Sequence, residues 1–220
     1  MNNGSLKVKI CGLTREEDAI AACNLGADIL GFNFVPGSSR YLNPYAAREM
    51  IKSLPPFISK VGVFANEDLG VILELIGFLG LDVVQLHGDE DEKFCMGIKA
   101  PVIKALRVGC AEDLTGHSGY DVSAFLLDAR VEGELGGTGK TFDWRVAVDF
   151  AKNNRIFVAG GLTPDNVGEA VRILEPFGVD TASGVESEPG VKDHNLMEEF
   201  IRAARSAAAG NGGETNDIAC

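Results

Sequence analysis

The sequence predicts a single (β/α)8 barrel of the TIM type. Short β-branched runs alternate with longer helical patterns from one end of the chain to the other. The alternation yields eight such units within 220 residues, which favours closure of a parallel sheet over an open doubly wound one. No long linker interrupts the pattern, so one domain spanning residues 6–209 is expected.

The strand-like runs are Val8–Ile10, Ile29–Phe34, Lys60–Phe64, Val83–Leu86, Val102–Ala105, Ala124–Leu127, Ile156–Ala159 and Val179–Ala182. Helical patterns follow at Arg15–Leu25, Pro44–Leu54, Asp68–Leu79, Asp91–Met96, Glu112–His117, Phe142–Lys152, Asn166–Phe177 and Asp193–Ala208, the fourth and fifth being short. Thr14-Arg15-Glu16-Glu17 reads as a capping box. Thr163-Pro164 reads as a cap followed by proline at the first helical position. Gly26 and Gly178 suit helix ends. From Gly210 onward the chain lacks apolar anchors, and residues 210–220 are expected to form a disordered tail.

Composition narrows the function classes. Acidic residues outnumber basic ones 32 to 20, for a net charge of −12, whereas a nucleic-acid-binding protein needs a basic face. Any positive charge that holds an anionic substrate must therefore be local. The five cysteines, Cys11, Cys23, Cys95, Cys110 and Cys220, form no CxxC pair, which argues against a zinc knot or dithiol motif and fits a reducing cytosol. The polar start of the chain and the lack of any long apolar stretch argue against a signal peptide or a membrane span. A cytoplasmic protein is expected.

Barrel enzymes work at the C-terminal ends of their strands, so the polar residues there matter most. Cys11 ends the first strand in step with Lys9. An ammonium nearby favours the thiolate and makes Cys11 a usable base; the alternative is a buried, inert thiol. Asp128 directly follows the sixth apolar run. Partial desolvation there raises a carboxyl pKa and suits an acid, although a helix cap or surface turn is an equal reading. Gly160-Gly161 after strand seven and Ser183-Gly184 after strand eight let backbone N–H groups approach an anion, with helix dipoles adding to the attraction. Barrels frequently bind phosphate with these two loops, and this is the strongest physical signal in the chain.

Three further residues stand near the same end. Arg40, after strand two, is able to hold a carboxylate through a bidentate pair or to be a solvated loop charge. His87, after strand four, is a base or a packing residue. Asp180 lies in strand eight. Gly136-Gly137-Thr138-Gly139-Lys140 lacks the Gly-x4-Gly-Lys-Ser/Thr spacing and a strand leading into it, so a nucleotide phosphate loop is rejected in favour of a glycine-rich lid.

Together these segments resemble the phosphoribosylanthranilate isomerase family of the tryptophan pathway. The resemblance rests on Lys9-Ile10-Cys11-Gly12-Leu13-Thr14, Gly31-Phe32-Asn33-Phe34, Val61-Gly62-Val63-Phe64 and Val84-Gln85-Leu86-His87-Gly88. It continues through Gly136 to Trp144, Ala159 to Val167, Ser183 to Glu186 and Pro189 to Asp193, in the family's order over residues 7 to 205. It implies Cys11 as general base, Asp128 as general acid, Arg40 as anchor for the anthranilate carboxylate, and Gly160-Gly161 with Ser183-Gly184 as the phosphate site. Asp180 and His87 fall near the ligand. The implied reaction is the Amadori rearrangement of N-(5′-phosphoribosyl)anthranilate, with no metal or other cofactor, in a monomer or homodimer. Two departures stand out: Ser38-Ser39 precede Arg40 where a proline is common, which implies a looser loop, and Ala182 replaces a common serine.

Two other readings remain. Another ribose-phosphate barrel, such as an indoleglycerol-phosphate synthase, would want a catalytic lysine and glutamate on particular strands, for which Lys104 alone is thin support; a metal-dependent epimerase would want several His and Asp ligands at strand ends, a set that three histidines leave incomplete. A non-catalytic sugar-phosphate-binding barrel would have no need of Cys11 and Asp128.

Overall fold

Eight parallel strands close on one another in chain order. They are β1 (Lys7–Ile10), β2 (Ile29–Asn33), β3 (Ser59–Phe64), β4 (Val83–Leu86), β5 (Val102–Val108), β6 (Ala124–Ala129), β7 (Ile156–Val158) and β8 (Gly178–Thr181). The computed structural model describes residues 5–129 and 141–211. The proposed lid at 136–140 and the end of the tail lie outside the described residues.

The helices are α1 (Glu16–Asn24), α2 (Pro44–Ser53), α3 (Leu69–Leu79), α4 (Glu92–Met96), α5 (Val148–Asn153), α6 (Val167–Leu174) and α7 (His194–Asn211). Side-chain oxygens hold several N-termini: Asn43 accepts from the Tyr45 amide, Asp68 from those of Gly70 and Val71, and Asp91 from that of Phe94. A short hairpin, β9 (Glu186–Glu188) with β10 (Val191–Lys192), follows a 3-10 turn at Ser183–Val185.

Local competition explains where helices depart from the sequence pattern. Thr14 does not cap α1; its hydroxyl donates to the Gly190 carbonyl instead. A 3-10 turn, Ala111–Leu114, replaces the fifth helix because the Asp113 carboxylate accepts from the Gly109 and Cys110 amides and folds the segment locally. The sixth begins as a 3-10 turn, Trp144–Ala147, before α5. Asn166 accepts from the Thr163 amide and donates to the Gly161 carbonyl, so Pro164 lies in a turn and α6 begins only at Val167. Glu175, at φ 44°, ends α6, and Gly178 opens β8 rather than stopping a helix.

Period-two alternation separates two cores. Val8, Ile10, Leu30, Phe32, Val84 and Leu86 point outward into a shell against the helices. Ile29, Val61, Ile103, Leu126 and Phe157 fill the barrel interior. The polar residues Lys9, Gln85, Asp128 and Asp180 are also buried. The β1–β8 register sets Lys9 beside Asp180, and the β5–β6 register sets Arg107 beside Asp128.

Candidate active site

One cavity of about 630 Å³ opens at the C-terminal end of the barrel, a size suited to a small ligand. Its wall contains Cys11, Arg40, His87, Asp128, Gly160, Gly161, Asp180, Ser183 and Gly184, each a site candidate from the sequence. They arrive from six βα junctions and are brought together by barrel closure.

Cys11 extends β1 by one residue, its amide donating to the Thr181 carbonyl of β8. Lys9 is fully buried and donates to Asp180 Oδ1 at 2.9 Å. Burial alone would lower the Lys9 ammonium, but Asp180 and Cys11 outweigh it and hold the group above the ordinary lysine value. Lys9 favours the Cys11 thiolate as expected, but it is outweighed. Burial raises the thiol more than Lys9 and Lys192 lower it, and Asp180 adds to the rise.

Asp128 lies within β6 rather than after it. Oδ1 accepts from the Ala129 amide at 2.9 Å, and Oδ2 lies 3.1 Å from His87 Nε2. Gln85 Nε2 meets the other ring nitrogen, Nδ1, at 3.1 Å. With the Gln85 amide so oriented, Nδ1 accepts and Nε2 carries the proton facing Asp128. Gly160, at φ +75°, covers this carboxylate, and a Cβ there would fall 2.7 Å from Asp128 Oδ1. A glycine is needed here both for the backbone and for the acid beneath it.

Gly161, Ser183 and Gly184 continue the wall beside Asp128. The dipole expected from a helix opened by Thr163 is displaced, since α6 starts four residues later; after β8 a 3-10 turn provides the short N-terminus. Thr181 Oγ1 donates to the Leu162 carbonyl at 2.9 Å and ties the two loops together.

Arg40 does not hang loose in its loop. Its amide donates to Ser38 Oγ at 3.2 Å, and Asn33 Nδ2 donates to the same oxygen at 3.0 Å. Ser38 thus stitches the segment in which a proline is missing. The guanidinium donates to Glu186 through Nε at 2.8 Å and Nη2 at 2.6 Å. Lys192 Nζ reaches the same carboxylate at 2.7 Å and the Ala182 carbonyl at 3.0 Å. Burial would raise the Glu186 carboxyl, but Arg40 and Lys192 outweigh it and hold the group below the ordinary glutamate value. Sequence reasoning assigned no role to Glu186 or Lys192. The usable signal was a carboxylate immediately after a loop that the sequence marks as a candidate anion site, which requires a cation of its own.

Lys104 does not reach the cavity. It alternates with the inward-facing Ile103 and Ala105 and pairs with Glu90 at 2.8 Å and the Gly88 carbonyl at 2.7 Å. That removes the lysine on which a synthase reading would depend. Among the described residues, no group of three or more His, Cys, Asp or Glu side chains is placed to hold a metal ion.

The family model for N-(5′-phosphoribosyl)anthranilate (PRA) isomerase matches residues 8–203. The chain belongs to the PRA isomerase family. Membership makes it an enzyme, an isomerase of tryptophan biosynthesis. A Pelobacter propionicus PRA isomerase is 52% identical over 200 residues, covering 91% of this chain and 96% of its own. The crystal structure of the Thermotoga maritima PRA isomerase superposes with a TM-score of 0.86 at 40% identity, covering 91% of this chain and 99% of the other. A PRA isomerase in complex with reduced 1-(o-carboxyphenylamino)-1-deoxyribulose 5-phosphate superposes with a TM-score of 0.82 at 38% identity, again over 91% and 99%.

Proposed function

We propose that this PRA isomerase converts N-(5′-phosphoribosyl)anthranilate into 1-(2-carboxyphenylamino)-1-deoxyribulose 5-phosphate at the C-terminal cavity, with Asp128 as acid and Cys11 as base. The observation that carries this reading is the meeting of Cys11, Asp128, Arg40 and the two glycine loops in one cavity wall. Gly160-Gly161 and Ser183-Gly184 hold the 5′-phosphate, Arg40 holds the anthranilate carboxylate, and the reacting sugar is suspended between them. Asp180 and His87 line the same space.

Asp128 protonates the furanose ring oxygen, the C1′–O bond breaks, and the nitrogen lone pair forms a Schiff base. Its positive charge acidifies the C2′ proton and favours the thiolate of Cys11, which removes that proton. The enolamine then gains a proton on C1′ and loses the one on its 2′ oxygen, giving the ketone. The 3.1 Å contact with His87 Nε2 orients the Asp128 carboxyl in the cavity wall. β1 and β6 stand on different arcs of the closed barrel, so acid and base reach the sugar from different sides. The scheme draws on no metal or other cofactor.

Residues 6–209 form the catalytic domain in this reading, although α7 runs two residues further, to Asn211. The four cysteines among the described residues are free thiols, which supports a cytoplasmic location. No helix among the described residues is long and apolar enough to cross a membrane. Of monomer and homodimer, the homodimer is favoured: a Thermotoga maritima PRA isomerase is described as dimeric. This chain carries a second cavity of about 610 Å³ at the opposite end of the barrel, rimmed by Phe57, which is 99% exposed.

The test is turnover of freshly generated phosphoribosylanthranilate, followed by loss of its fluorescence, with Asp128→Asn as control. Rapid loss with the native protein alone supports the reading. Loss at the spontaneous rate leaves a binding barrel only.

A further inference from the structure

The contact that sequence reasoning missed lies behind the carboxylate anchor. A guanidinium offers two edges for bidentate pairing, one made by Nε and an Nη, the other by both Nη groups. Glu186 takes the Nε–Nη2 edge at 2.8 and 2.6 Å. Arg40 lines the cavity, whereas Glu186 does not. Among the described residues, nothing hydrogen-bonds to Nη1.

We propose that Glu186 is a positioning residue which locks Arg40 from behind, turns the outer edge of its guanidinium to the cavity, and so sets selectivity for a substrate bearing an aryl carboxylate. The inference rests on the Arg40 anchor of the preceding section and gives that anchor its orientation.

Three observations support it. The Arg40 stem lies across Gly12, at φ +72°, where a Cβ would collide with Arg40 Cδ. The side chain thus has a bed at the end of β1, next to Cys11, but no wall to fix its rotation. Glu186 supplies that wall and is itself immobilised, with 4% of its side chain exposed and Lys192 donating to Oε1. Finally, two cations share one carboxylate, which leaves a unit of positive charge at the cavity wall in a chain of net charge −12. A second carboxylate, brought by the ligand, completes the set. The Lys192 bond to the Ala182 carbonyl also links Arg40 to the Ser183-Gly184 turn, so the two anchors of the substrate are held at a set separation.

The experiment measures dissociation constants for two ligands: reduced 1-(o-carboxyphenylamino)-1-deoxyribulose 5-phosphate and the same compound without its carboxyl group. Glu186→Gln is expected to weaken the carboxylated ligand about tenfold or more, as for a misdirected charge-assisted bond, and the phenyl ligand less than about twofold. KM for phosphoribosylanthranilate should rise with little change in kcat. Equal weakening of both ligands, or of neither, overturns the proposal. Tighter binding of the carboxylated ligand also overturns it, because Glu186 would then compete for Arg40.

Arg40→Ala separates the two levels. If it fails to discriminate between the ligands, the anchor itself is wrong. If it discriminates and Glu186→Gln does not, only the positioning role falls. Should Glu186→Gln not fold, Glu186→Asp, which is one methylene shorter, must show a smaller selective loss; a wild-type preference in that variant overturns the proposal.

Discussion

The barrel holds a cavity at each end, about 630 Å³ at the C-terminal end and about 610 Å³ at the N-terminal end. In volume they are interchangeable; in chemistry they are not. The first is walled by Cys11, Asp128, His87, Asp180 and Arg40, held in a web of ion pairs and hydrogen bonds. The second is walled by Ile29, Val61, Val83, Ile103, Ala124, Phe157 and Phe177, with its few charges, Lys7, Asp28 and Arg155, joining Ser59 and Ser123 among the polar lining residues. The guanidinium of Arg155 lies 5.0 Å from the centre of the Phe177 ring. One end is built to stabilise changing charge and the other to bury apolar surface. The direction of the strands, not the size of the hole, decides which is which.

Substitutions at the two ends should therefore have different consequences. The largest effect is expected from Asp128→Asn, which keeps an acceptor for the Ala129 amide but removes the acid; kcat should fall about 10²–10⁴-fold while the circular dichroism spectrum stays native. Cys11→Ser should bring a loss of similar order, because a hydroxyl is a poor base at neutral pH; ordinary turnover by this variant would remove Cys11 from the reaction. Asp180→Asn leaves the Lys9 ammonium buried without its counter-charge. That should cost about 3–5 kcal/mol in denaturant unfolding, and a native midpoint would mean the pair is structurally idle.

At the other end, the proposed homodimer predicts that Phe57→Glu halves the particle mass seen by light scattering and leaves turnover per chain unchanged. A drop in turnover would mean the two ends are coupled. The smallest effect concerns Glu186, whose folded pKa is depressed by Arg40 and Lys192. It contributes stability that is present above the ordinary glutamate value of about 4.3 and lost as pH falls through its lower folded value. Glu186→Gln should remove that part of the acid limb of the stability profile, as read by unfolding midpoints from neutral to acid pH.

Strand positions were legible because alternation is a local property. Val83–Leu86 is placed as expected, and the inward set Lys9, Cys11, Asp128 and Asp180 follows from counting in twos along strands of known direction. Helix starts were less legible. Thr14 and Asn166 have local roles open to them, but their hydrogen bonds go to Gly190 and to the Thr163-to-Gly161 turn. The partners of the charged groups were the least legible. Arg40 and Glu186 are separated by 146 positions, and only closure of the sheet brings them together. The same applies to Cys11: the nearby ammonium could be read from Lys9, but the burial that outweighs it is a property of the whole barrel.

The hydrogen bonds joining β1 to β8 have a consequence for the newly made chain. Cys11 leaves the ribosome long before its amide acceptor, Thr181, and its buried neighbours, Asp180 and Lys192. A truncated product can hold seven strands and still lack the wall proposed to bind phosphate and the charges that surround the thiol. Catalysis in this molecule thus waits for closure of the barrel, since β1 has no working neighbourhood until β8 is in place.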